Sequence, residues 1–71
     1  MKFYRIAEYE NNEYTGFGTL TIDPAIADEK VKWLKEIWNG PKDVHWYLEE
    51  VEAEDMTQAC TAEPVSKKKI I

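Results

Sequence analysis

The stretch Asp23–Pro41, DPAIADEKVKWLKEIWNGP, carries a start signal, a periodic body and a stop signal, and the rest of the chain is read against it. Asp23 can accept a hydrogen bond from the free amides of a first helical turn, and Pro24 stands where a missing N–H costs nothing. Asp28 and Glu29 bring negative charge toward the positive end of the helix dipole. Asn39 and Gly40 are residue types that tolerate a left-handed closing conformation, and Pro41 forbids continuation. At about 100° per residue, Trp33, Ile26, Ile37, Leu34, Ala27, Trp38 and Val31 fall on one face. Lys32, Lys35, Glu36, Asp28 and Glu29 fall opposite. Lys30 lies inside the apolar arc, where its aliphatic stem can cover that surface with the amine in water. The arc is about 160° wide, against a minimum stripe of about 100°. Half of it covers a sheet; its edges, led by Trp33 and Trp38, are left for another use.

The sheet comes from three runs. Lys2–Tyr9 (KFYRIAEY) and Tyr14–Ile22 (YTGFGTLTI) are rich in aromatic and β-branched residues and flank Asn11-Asn12, an acceptable two-residue hairpin turn. With Tyr9 facing Tyr14, the pairing sets Ala7 opposite Gly16, Ile6 opposite Phe17 and Phe3 opposite Leu20. One face then holds Met1, Phe3, Ala7, Tyr9, Tyr14, Leu20 and Ile22, interrupted by Arg5. This is the face expected under the helix, with Gly16 and Gly18 leaving room for Trp33 or Trp38. The other face holds Lys2, Tyr4, Ile6, Glu8, Thr15, Phe17, Thr19 and Thr21 and is expected to be open. Asp43–Val51 (DVHWYLEEV) reads as a third strand, with Val44, Trp46 and Leu48 on one side and His45, Tyr47, Glu49 and Val51 on the other.

These elements predict a small α+β domain, ββαβ, with one helix packed on a three-stranded, mostly antiparallel sheet. The order 2-1-3 is expected, with 1-2-3 as the alternative. The compact domain spans 1–55. Residues 56–71, with Pro64 and the triplet Lys67-Lys68-Lys69, read as a C-terminal extension; Glu52–Cys60 has helix formers but no evident cap.

Seventy-one residues make one domain with a single small core. The lone Cys60 forms no internal disulfide and completes no zinc site. No apolar run suggests a secretory leader or a membrane span, so a cytoplasmic setting with no membrane partner is expected. The net charge of −5 is concentrated in residues 41–55, where one lysine stands against Asp43, Glu49, Glu50, Glu52, Glu54 and Asp55. Such a chain repels phosphate backbones, which argues against direct nucleic-acid binding and leaves proteins as partners.

No catalytic, metal-ligating or cofactor-binding constellation is present, so neither enzymatic activity nor a cofactor is expected. His45 and Cys60 are each the sole residue of their type, and they form the one nucleophile–base pair that can be written. The acidic run lacks the spacing and the glycine of a calcium loop. Gly16-Phe17-Gly18 lies within a strand and is not followed by the Lys-Ser or Lys-Thr of a phosphate loop. In size and charge the chain is similar to small acidic αβ proteins of phages and mobile elements.

The function expected is that of a non-enzymatic protein-binding module that modulates or inhibits its partner. Three Trp, four Tyr and two Phe are more aromatic surface than so small a core hides. The partner surface is expected on the open face, from Tyr4, Ile6, Phe17 and Tyr47, bordered by Glu49, Glu50 and Glu52. Stacking of two such faces into a homodimer is an alternative use. A second reading is that the acidic segment mimics nucleic-acid phosphates and blocks a DNA- or RNA-binding protein.

Overall fold

The computed structural model describes residues 1–71 as β1 (Lys2–Glu10), β2 (Glu13–Thr21), α1 (Pro24–Ile37), β3 (Val44–Glu52), α2 (Met56–Thr61) and β4 (Pro64–Lys69). The four strands form one antiparallel sheet in the order β2-β1-β3-β4. The α+β class and the placement of β3 beside β1 match the sequence reading. The sheet has a fourth strand and the domain a second helix.

The hairpin turns through Asn11 and Asn12, both at positive φ (52° and 68°), the signature of a type I′ turn. Tyr9 does face Tyr14, but β2 then carries two bulges, with Thr15 and Gly18 as the extra residues. The first slip flips Phe17 to lie opposite Ala7 instead of Ile6; the second restores the phase, so that Leu20 lies opposite Arg5. Gly16 sits in this irregular segment at φ +154°, a conformation that L side chains rarely adopt.

At the start of α1, the Asp23 carboxylate accepts the Ala25 N–H at 2.9 Å, and Pro24 occupies the first turn. Asp28 and Glu29 lie beyond that turn, where the dipole effect has largely decayed. The helix closes differently from expectation. Trp38 leaves it with extended backbone while its N–H still donates to Leu34 O, and neither Asn39 nor Gly40 has positive φ. Gly40 is needed for space: a Cβ there would overlap the Trp38 ring.

The helix lies on the opposite side of the sheet from the one expected. Ala27 and Leu34 are buried, and Leu34 borders one cavity with Ile6 and Trp46, while Val31 borders another with Leu48. Trp38 packs edge-to-face on Trp46, with ring centroids 5.5 Å apart. The reason is in β3. Its register with β1 puts the apolar side, Val44, Trp46 and Leu48, on the same face as Ile6, and the helix covers that side.

The other face is partly covered by residues 56–71, which are no tail. α2 starts in a capping box whose return bond is displaced by one residue: the Asp55 carboxylate accepts the Gln58 N–H at 2.9 Å, and the Gln58 side chain accepts the N–H of Glu54, just before the cap, at 2.6 Å. The small Ala53 and Ala59 let α2 close on Phe3 and Val51, forming the core of this side. β4 then pairs with β3, with Lys67 opposite Glu49 and Ser66 opposite Glu50. No helix is long and apolar enough to cross a membrane.

Candidate functional site

The seven residues expected at a partner surface are split between the two faces. Ile6 is 3% exposed beneath α1, and Tyr4 is half-buried on the same face, between Thr21 and Glu50. Phe17 is exposed but stands on the α2 face, as does the half-buried Tyr47. Glu49 is fully buried. Glu50 accepts from Lys2 Nζ (3.4 Å) and Ser66 Oγ (3.0 Å), and Glu52 pairs with the Met1 amino group at 2.7 Å. The expected open face is therefore not an open surface, because α1 lies on its apolar centre.

What occupies the α2 face is a charged network that the sequence reading passed over as an interruption. Arg5 Nε donates to Glu49 Oε1 at 2.8 Å, and both residues are at most 3% exposed. Arg5 Nη1 donates to the carbonyls of Ala59 (2.9 Å) and Cys60 (3.3 Å), near the C-terminal end of α2, where a cation is favoured. The guanidinium also lies over the Tyr14 ring, 5.3 Å from its centroid. The Tyr9 hydroxyl donates to Glu49 Oε2, Tyr9 packs edge-on to Tyr14 and Tyr47, and Lys67 Nζ lies 4.0 Å from the Tyr9 centroid. One arginine from the central strand thus ties together β2, β3 and α2. Burial pushes the Tyr9 hydroxyl well above the usual tyrosine range, and the bond to Glu49 adds to it. Burial also raises Tyr14, against the opposing pull of Arg5. A signal was available: opposite charges stood on strand faces otherwise suited to burial.

The solvent-facing surface is asymmetric. Of nine exposed large hydrophobic residues, six gather around β2: Tyr14, Phe17 and Ile22 along the strand and its end, Met1 and Met56 beside that end, and Trp33 of α1 against Gly18 and Thr19; the flank of α1 also carries Ile26 and Ile37. At helical spacing the last three form one stripe, with Lys30 inside it, and Trp33 lines a cavity with Gly18 and Thr19 of β2. Trp33 is 53% exposed. The opposite edge, β4, carries Lys67, Lys68 and Lys69, charges that discourage strand-to-strand association, and a single exposed apolar residue, Val65. The two bulges give the β2 edge a different protection, since they interrupt the regular ladder that a foreign strand would extend. The apolar residues around it act as side chains.

Most carboxylates of the acidic segment are engaged within the molecule. Glu49, Glu50, Glu52 and Asp55 have the partners described above, which leaves Asp43 and Glu54 without a hydrogen bond or ion pair through their side chains. His45 Nδ1 lies 3.0 Å from the carbonyl of Ile71, while Cys60 lines a cavity of about 140 Å³ with Arg5 and Tyr14. No hydrogen bond joins His45 to Cys60, and the two line no common cavity. No protein-family model, curated protein or solved structure matches this chain.

Proposed function

We propose that this chain is a non-enzymatic protein-binding module that modulates or inhibits its partner by occupying a surface of it, and that the partner docks on the β2 side. The observation that carries this reading is the gathering of six of the nine exposed large hydrophobic residues around one edge of the sheet, with Ile26 and Ile37 on the same helix stripe as Trp33. Apolar surface gathered on one side and reduced to a single residue on the other is the usual mark of an interaction site, and tryptophan, tyrosine and methionine are favoured at such sites. The core does not need these residues, because α1 is already seated through Ala27, Leu34 and Trp38.

The test compares the two edges. Trp33→Glu on the β2 side and Val65→Glu on the β4 side each add one charge at an exposed site. Partner captured from cells of the source organism should fall at least tenfold with the first and be unchanged with the second. Equal capture by both variants would remove the reading. So would a concentration-dependent dimer lost only in Trp33→Glu, since the surface would then serve a second copy.

A further inference from the structure

We infer that the groove between the end of β2 and the start of α2 takes an aromatic or large aliphatic side chain from a partner segment that carries a basic residue next to it. The inference rests on the protein-binding reading and names the partner's chemistry. The groove has a volume of about 440 Å³ and lies within the range of about 300–1,000 Å³ typical of ligand sites. Its floor is Phe3, which belongs to the core, with the half-buried Leu20 beside it. Its lips are Met1, Ile22 and Met56, at 63%, 58% and 56% exposure. Unbranched methionine side chains adapt to the shape of what they enclose, which suits an opening that must accept a foreign side chain. The groove follows from the way α2 is built: the capping box fixes the helix start, and Ala53 and Ala59 seat it, so Met56 is left facing outward over Phe3.

Charge selects the occupant. Glu54 and Asp55 line the groove and no lysine or arginine does. The Glu54 carboxylate has no ion pair, whereas the one nearby cation, the Met1 amino group, is already neutralised by Glu52. An apolar side chain arriving with a basic neighbour fills the groove and pairs with Glu54, while an acidic neighbour is repelled. A second copy carries the same net charge of −5 and would bring its own Glu54 and Asp55, which disfavours self-docking.

The chain's only two methionines, Met1 and Met56, both line this groove and provide the readout. In full-length protein labelled with ¹³C at the methionine methyls, N-acetyl-Phe-Arg-amide should shift both signals saturably. N-acetyl-Phe-Glu-amide and N-acetyl-Gly-Arg-amide should bind at least fivefold more weakly at the same ionic strength, and Glu54→Lys should reverse the order of the two Phe probes. Absence of saturable shifts, or equal binding of the Phe-Arg and Phe-Glu probes, overturns the inference. Methyl shifts that follow protein concentration without any probe also overturn it and assign the groove to a second copy. The outcomes separate the two claims. Probe binding with capture insensitive to Trp33→Glu removes the module reading and keeps the groove; the reverse result removes the groove alone.

Discussion

The two faces of the sheet are covered by different chemistry. Under α1 the contact is apolar: Leu34 and Ala27 are buried on a surface that includes Ile6, and Trp38 packs edge-on to Trp46. Under α2 the buried apolar cluster is Phe3, Val51, Ala53 and Ala59, with Leu20 and Ala62 packed against it, and the centre is the desolvated pair Arg5–Glu49. An apolar contact loses stability in proportion to the volume removed. A buried ion pair behaves as a unit, because one partner without the other is an uncompensated charge in a medium that cannot solvate it. The first helix is therefore held by quantity, the second by completeness.

The sharpest way to break this contrast is Arg5→Ala, which should cost about 3–5 kcal/mol in urea unfolding. It should also speed amide exchange in α2, whose terminal carbonyls Arg5 holds. Replacing both partners, Arg5→Met with Glu49→Leu, should recover most of that loss. A double variant as unstable as the single one would show that α2 depends on the charge itself. Leu34→Ala comes next, at about 2–5 kcal/mol, and should leave exchange in α2 close to that of the parent until global unfolding.

Tyr9→Phe should be milder, about 1–3 kcal/mol, because it leaves one oxygen of a buried carboxylate without its donor. It also sharpens the contrast through pH. The Tyr9 and Tyr14 hydroxyls hold their protons more tightly folded than unfolded, so above about pH 10 the unfolded chain releases protons first. Their contribution to stability is complete below that pH and declines as pH rises through the tyrosine range. Urea midpoints should change little through these groups below about pH 10 and fall toward about pH 11, and Tyr9→Phe should flatten the fall. A midpoint that rises with pH would contradict the tighter hold of these phenols on their protons in the folded chain.

Much of the fold was legible because local rules carry it. Asp23-Pro24 and the Asn11-Asn12 turn each follow from residue types at short range, whereas the order with β3 beside β1 is a long-range pairing that the sequence favoured over 1-2-3 without deciding. Three features were not legible from that range. The bulges at Thr15 and Gly18 decide which face Phe17 joins; Gly16 and Gly18 within a strand are a mark of such irregularity, but they do not say which residue is the extra one. The helix chose its face through Val44, Trp46 and Leu48, apolar residues contributed by a strand that follows it. The extension was misread because Pro64 and three lysines look like a tail, although lysine is also what guards an edge strand. The capping box Asp55-x-x-Gln58 was readable and would have placed α2. For the candidate site, the excess of aromatic surface was legible. Its location was not, because exposure is settled only after both faces have been covered.

The central claim is that the apolar residues around β2 are kept for a partner and contribute little to folding. The most direct measurement is urea unfolding of the double variant Trp33→Glu with Phe17→Ser. Loss of no more than about 1 kcal/mol is expected, the scale of exposed substitutions and a single cross-strand pair. A loss of about 3 kcal/mol or more, the scale of a truncated core aromatic, would contradict the claim and return both residues to the fold.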